Sequence, residues 1–587
     1  MKLFLFLIGI FSNQSFAAET EYQVDPIWVS ASASFDSLSD VGFLPQKKFK
    51  FNQNRNSSQE VIDKTLAFPS QNYGYPSGVL GNNLGGRSVD DAQVSTLGVP
   101  LNLPQGGGPD LSIFPSFLWS GANYSMVPQL GGYSPQGVSG GIQFDLWSRS
   151  AVREFKKSTT LNRVTGNMDR NLQTISIASK VDQSAILGGM SLGRQTGPSG
   201  SLSLYAIRKP KSHLLFHLLG SDQVGENPGS KSLPTPKAKK KFWRIIPVLE
   251  SHQEFNADES SVIWESTLSG DLQQLQFEDS DHPGLNTSTR TQQIGLENAI
   301  KFGDSTIGLT ARSVHFESGS FGNFQEWPLI AQYSHDFSSV QGWNFRLSGG
   351  GNFLSSTGFV PNGRVLLKQN NEQSFLFFEL HSLNKMPSLN DRHYVLPGFV
   401  GNTNLSPERV NGFLAGFVRN KESFQNTLTI KTEYRNQIQV QTELSPGTQT
   451  LTNSGNAWLI SMMDDFEWKP ASGISEKVGA VLTASKVSSS GLSYPDLPLV
   501  SLTQNGSYGL GDDFEVRHHL RWIGDSKTAS GAQHPGYFLA DLSASYEIKK
   551  DIVTTIGCDN VFDSRAEVIL DYPLPGRIAY MNVQINL

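Results

Sequence analysis

An all-β chain whose strands close into a barrel across a lipid bilayer is the fold class this sequence predicts, and three features carry the prediction. The chain ends in an alternating strand. Met581, Val583, Ile585 and Leu587 fall on one face, with Tyr580, Asn582, Gln584 and Asn586 on the other, because side chains in a strand alternate with a period of 2. The same alternation recurs upstream with charges on the non-apolar face. Phe538, Ala540, Leu542, Ala544, Tyr546 and Ile548 alternate with Leu539, Asp541, Ser543, Ser545 and Glu547; Val516, His518, Leu520 and Trp522 alternate with Arg517, His519 and Arg521. A soluble sandwich turns its charged face to solvent, whereas a membrane barrel turns it to a wet lumen and its apolar face to lipid. Third, nothing after the first residues offers the ~18 consecutive apolar positions that a spanning helix requires.

The amino terminus, Met1-Lys2, the apolar run Leu3 to Phe11 and then Ser15-Phe16-Ala17, has the three regions of a secretory signal peptide, so residues 1–17 are expected to be removed on export. The 587 residues would ordinarily suggest several domains, but a large closed sheet can take up most of such a length. Only 37% of residues are hydrophobic, as expected where every second strand residue is polar. The 56 Gly, 36 Phe, 15 Tyr and 10 Trp supply turns and interfacial aromatics. A net charge of -6 points to no nucleic-acid partner and to no polybasic membrane patch. The single cysteine, Cys558, excludes a disulfide within the chain and a cysteine metal cluster; it reads as a small apolar residue of an outward face.

In chain order, Glu21 to Ala31 is a short β-prone run followed by a polar segment, Ser32 to Asp40. An isolated strand leaves its backbone donors and acceptors unsatisfied, so it is expected to pair with another protein's sheet edge. Residues 18–56 form this run and a linker. From 57 to 150 the chain is rich in Gly, Pro and Asn with short apolar pieces, which reads as a compact mixed domain with long loops; Ser58 to Leu66 fits a short helix capped by Ser58. From 151 to 587 alternating runs follow one another, among them Ile175–Ser179, Leu202–Ala206, Ile307–Ala311, Leu376–Leu380 and Leu428–Val440.

Several of these stretches resemble one family. Asp25-Pro26-Ile27-Trp28-Val29-Ser30-Ala31 looks like the TonB box of TonB-dependent outer-membrane transporters, with Pro and Trp as departures. Leu84-Gly85-Gly86-Arg87-Ser88, Asp91 to Asn102 and Ser134 to Phe144 resemble, in order, the family's plug domain; Leu97 stands where an Asp is usual. The paired glycine of the last stretch is expected to let plug backbone pass close to the barrel wall. Pro387-Ser388-Leu389-Asn390-Asp391 with Asn402 to Glu408 is similar to a further paired motif. Asp541, then Asp559-Asn560-Val561-Phe562-Asp563, then Tyr572 to Arg577 match the family's carboxyl-terminal succession, although Leu587 replaces the commoner final Phe.

The resemblance implies a 22-stranded antiparallel transmembrane β-barrel, since the roughly 435 residues after the plug can supply about 22 strands, with an N-terminal α+β plug domain inside its lumen. It implies a Gram-negative outer-membrane location, binding of residues 25–31 to TonB and its inner-membrane energising complex, and import of a scarce nutrient. The nutrient expected is an iron-siderophore or a cobalamin, and the surroundings are lipid and lipopolysaccharide. A haem receptor of the same family, a passive porin or adhesin, and a secreted carbohydrate-binding protein are the alternatives.

Candidate ligand contacts are Tyr73, Tyr75, Asn82 and Asn83 in plug loops, since Tyr and Asn adapt well to ligand surfaces, and His393, which lies where haem receptors of the family carry an axial His. Long polar connections at Gly220–Phe242, Asp279–Thr289 and Tyr394–Gly401 are expected on the extracellular side. Lys237, Lys239, Lys240 and Lys241 could meet an anionic chelate or lipopolysaccharide phosphates, although such runs are usually solvated. Glu278, Asp279, Asp281 and His282 invite a calcium reading but lack the glycine-turn spacing of a calcium loop. No catalytic motif, resident metal or cofactor is expected.

Overall fold

The computed structural model describes strand Lys47–Lys50 and, with short gaps, residues 62–586; for some segments, 161–213 among them, it describes the backbone alone. Residues 25–31, Tyr73 and Tyr75 lie outside the described residues, as does most of the Ser58–Leu66 stretch. Its end is a helical turn, in which the Leu66 N–H donates to the Ile62 carbonyl at 2.8 Å.

From Leu161–Asn167 onward, one antiparallel sheet takes up the chain, each long strand pairing with the next. The last strand, Ile578–Asn586, pairs with Ile552–Asp559 on one side and with Leu161–Asn167 on the other, so the strand order forms a ring. No helix among the described residues is long and apolar enough to cross a membrane. One end of the ring carries tight turns, such as Phe302–Ser305, Val340–Trp343, Ala471–Ile474 and Leu510–Phe514. Gly303, Gly342, Gly473 and Gly511 take the positive φ that these turns need. Long connections collect at the other end.

The faces of the sheet are inverted relative to a soluble protein. Along Ser260–Glu278, Trp264, Leu268 and Leu272 are 42%, 48% and 38% exposed, while Thr267, Ser269, Asp271 and Gln273 are buried. Along Asn456–Ala471, Trp458, Ile460, Met462, Phe466 and Trp468 are exposed and Leu459, Ser461 and Met463 buried. The carboxyl-terminal strands agree with the alternation in the sequence: Trp522, Phe538, Leu542 and Tyr546 lie exposed, His519 and Arg521 buried. Water would penalise so many exposed apolar side chains by about 25 cal/mol per Å² each, whereas an apolar solvent outside the ring reverses that sign.

Two expectations about connections are corrected. Gly220–Phe242 is not one loop: Ser212–Glu226 and Lys239–Ala257 are strands paired up to Glu226 opposite Lys239, because backbone pairing continues through polar sequence once both strands are in register. Leu428–Val440 is not one strand. Phe424–Asn436 ends at Gln437, whose φ of 54° turns the chain out of the ring. Gln439–Ser445 then joins Thr448–Asn453, Phe399–Val400 and Val395–Leu396 in a separate four-stranded sheet.

The amino-terminal domain is a five-stranded sheet ordered Lys47–Lys50, Trp119–Ser125, Gly141–Leu146, Gln93–Thr96, Val99–Pro100. Gln93–Thr96 and Gly141–Leu146 run parallel. Leu97 and Gly98, with φ of 53° and 78°, make the hairpin between its last two strands; the left-handed conformation costs Leu97 roughly 1–2 kcal/mol, offset by its burial. Trp119 stacks on Phe144 at 4.7 Å and meets Phe114 edge-on at 5.9 Å. This core is continuous with Leu219, Phe242, Ile246, Leu366, Phe377, Leu414, Met463 and Val481, buried side chains of ring strands.

Candidate functional site

Ion pairs join the amino-terminal domain to the ring on several sides. Asp91, completely buried, accepts from Lys385 Nζ at 2.7 Å and pairs with Arg435 Nη1 at 2.8 Å. Lys385 also pairs with Asp90. Arg435 pairs with Glu433 at 2.7 Å, donates to Ser139 Oγ at 3.2 Å and lies 3.8 Å from Glu408, while Lys431 pairs with Glu433 at 2.6 Å. Glu408 accepts from the Gln439 N–H at 2.6 Å, which ties the same cluster to the separate four-stranded sheet. A second seam holds Lys64 between Asp541 and Asp559 at 2.9 and 3.0 Å, and Arg521 donates to the Phe68 carbonyl at 2.9 Å. A third binds Lys240 to Asp110 at 2.8 Å, with Arg244 donating to the Leu101 carbonyl at 2.7 Å while held by Asp271 at 2.7 Å.

Charges this deeply buried are costly unless paired. Here each pairing crosses from one domain to the other or braces a residue that does, so the arrangement can hold the domain in place while leaving a polar, separable seam. Gly140, one of the paired glycines, serves another purpose than the one expected. A Cβ on Gly140 would lie 2.5 Å from the Leu84 carbonyl oxygen and 2.8 Å from that of Ser125, so its smallness lets segments of the domain pack on one another, not on the ring.

At the long-connection end, the two halves of the paired motif meet. The Asp391 N–H donates to Ser388 Oγ at 3.1 Å and the Ser388 N–H to Asp391 Oδ2 at 2.8 Å, a reciprocal cap that starts the short helix Leu389–His393. The Asn402 N–H donates to the Asp391 carbonyl at 2.9 Å. Arg392 pairs with Glu326 and donates to Ser356 at 3.1 Å.

His393 stacks on Phe324 with ring centroids 4.0 Å apart. Burial and the neighbouring Arg392 hold its imidazole below the ordinary histidine value, against the opposing pull of Glu326. Asn83 is buried, and its Oδ1 finds no partner among the described residues. Asn82 lies in the strand Val79–Asn82, opposite Ser70.

Two lysines of the run pair with the acidic cluster beside it. Lys237 pairs with Asp281 at 2.8 Å and Lys241 with Glu278 at 2.9 Å. Asp279 is turned inward, accepting from the Asp281 N–H at 2.9 Å and meeting His282 Nδ1 at 2.8 Å. Burial opposes its ionisation, yet these hydrogen bonds hold its carboxyl below the usual range. No group of three or more His, Cys, Asp or Glu poised for a metal occurs among the described residues. Sequence reasoning missed Asp91, Lys385 and Arg435 as a functional set. Asp91 and Glu408 did lie in family-like stretches, but nothing in an alternating strand marks which inward charge will meet a partner from another domain.

Comparison with known proteins places this geometry. The family model described as "TonB dependent receptor-like, beta-barrel" matches residues 264–561, half of the chain, and the chain belongs to that family. Among solved structures, it resembles the copper transporter OprC at 11% identity and a TM-score of 0.76, over 92% of this chain and 100% of that one. It also resembles the FrpB iron transporter from Neisseria meningitidis (11%, TM-score 0.75, 91% and 97%) and the siderophore receptor PirA from Acinetobacter baumannii (12%, TM-score 0.73, 93% and 99%). No curated protein matches the chain.

Proposed function

We propose that this protein is a TonB-dependent outer-membrane transporter: a 22-stranded transmembrane barrel, with about the strand number of plugged transporters, whose residues 57–150 act as a plug. The seam centred on Asp91, Lys385 and Arg435 supports this reading most, because a plug must be held firmly and still be movable. Residues 25–31 would bind TonB by adding a strand to its sheet, and the pull on them would loosen the plug. The cargo is a scarce nutrient carried into the periplasm. The similar structures are named as copper, iron and siderophore proteins, which favours a metal or its chelate, an iron-siderophore first, over cobalamin. Tyr73, Tyr75, Asn82, Asn83 and His393 are the ligand contacts we assign. A haem cargo is the second reading, favoured by the placement of His393, stacked on Phe324, in the helix Leu389–His393 at the long-connection end.

The test is a strain carrying the chain without residues 24–31. Ligand binding to cells should persist while energised uptake is lost; uptake at the intact rate would refute energy coupling. Growth of a deletion strain on defined iron-siderophore, haem and cobalamin sources then identifies the cargo by the source that fails.

A further inference from the structure

On the outward face of the ring, four polar side chains converge among apolar ones. Glu476 shares its face with Val478 and Leu482, Gln504 and Tyr508 with Leu502 and Leu510, and His518 with Trp522, all of these apolar residues exposed. The Tyr508 hydroxyl donates to Glu476 Oε1, and Gln504 Nε2 donates to Oε2 at 3.3 Å. His518 Nε2 stands 3.9 Å from the same oxygen, and its ring stacks on Tyr508 at 5.8 Å. Gly506 makes the cradle. A Cβ there would overlap the His518 ring and lie 2.6 Å from Glu476 Oε1. The side chains of Glu476 and His518 remain 14% and 19% exposed.

Two neutral donors satisfy part of the carboxylate, His518 at 3.9 Å adds a counter-charge only when protonated, and among the described residues no lysine or arginine pairs with it. A carboxylate without a fixed counter-charge costs several kcal/mol at the bilayer centre and far less near the interface, where a headgroup can meet it. Its depth matters. Glu476 is two residues past Ile474 at the Ala471–Ile474 turn, and Tyr508 two residues before Leu510 at the opposing turn. At ~3.3 Å per residue, the cluster stands about 7 Å along the strands from the tight-turn end, the level of lipid headgroups.

We propose that this cluster is a binding site for the primary ammonium of a phospholipid headgroup, of the ethanolamine type, in the leaflet at the tight-turn end. The ammonium supplies a permanent counter-charge and N–H donors to Glu476, and the acyl chains continue over Val478, Leu482 and Leu502. A second copy of the chain fits worse, because a two-fold contact over this face would set Glu476 against its own symmetry mate. The inference rests on the membrane reading above.

The experiment is native mass spectrometry of the folded full-length protein with ethanolamine, glycerol and choline phospholipids of identical acyl chains. The wild type should retain one ethanolamine lipid about tenfold more strongly than the glycerol lipid. Glu476→Gln and Gly506→Val should both abolish that preference while leaving heat-modifiable migration, a sign of a folded barrel, unchanged. Equal retention of all headgroups, or a preference that survives in both variants, overturns the site. So does a dimer dissolved by Glu476→Gln, which would assign the face to a protein partner. Protein that never inserts into vesicles overturns the membrane reading itself, an outcome distinct from inserted protein without a headgroup preference.

Discussion

Replacing Arg435 by Met isolates the worth of the seam. In the intact chain Lys385, Lys431 and Arg435 face Asp90, Asp91, Glu408 and Glu433, with Arg435, Asp91, Glu408 and Glu433 fully buried. Methionine keeps most of the side-chain volume but removes one of the three cations, and Asp91 loses its Arg435 partner while keeping Lys385. Breaking a buried pair from one side costs about 3–5 kcal/mol, because the orphaned charge stays desolvated. At about 1.4 kcal/mol per factor of ten, the strands Gln93–Thr96 and Gly141–Leu146 should open roughly 140- to 3,700-fold more often. Amide hydrogen exchange of those strands in the folded full-length protein reads this directly. Adding Asp91→Asn should recover about 1–3 kcal/mol, since contacting groups are coupled. Exchange within threefold of wild type, with no recovery in the double variant, would refute the idea that this seam holds the domain.

Other outcomes follow from the same structure. Leu268→Arg, which puts a cation on the exposed face of Ser260–Glu278, should lower folding stability in vesicles by about 2–4 kcal/mol if the position lies near mid-bilayer. Reversible urea unfolding from liposomes measures it, and a change below about 0.5 kcal/mol would mean that this face does not meet lipid. His393 should titrate below 6.5. Its lowered value means that the unfolded chain takes up the proton first, so stability is retained above 6.5 and declines as pH falls through the lower folded value. Histidine-resolved NMR checks this, and Phe324→Ala, by uncovering the ring, should move the titration back up.

The barrel was legible because its physics is periodic. Trp522, Phe538, Leu542 and Tyr546 announced an apolar face that the structure leaves exposed, and Arg521 and His519 an opposite face that it buries. Strand ends were less legible. The polar run after Gly220 reads as a loop, yet Glu226 pairs opposite Lys239, because ladder hydrogen bonds are indifferent to the side chains they carry. The break at Gln437 rests on one residue's backbone conformation, which no alternation reveals. The seam was invisible for a different reason. Lys385 and Asp91 are 294 positions apart, and each is an ordinary inward or loop charge until the two domains are brought together. Leu97 shows the converse, since a residue that departs from the family's usual Asp takes a left-handed φ of 53° and still forms the hairpin.

Single-channel conductance in planar bilayers decides whether residues 57–150 stopper the ring. The intact chain should insert and pass almost no ion current, and the chain lacking residues 57–150 should open large, steady pores. Equal conductance from the two proteins would contradict a stoppered transporter and leave an open porin in its place.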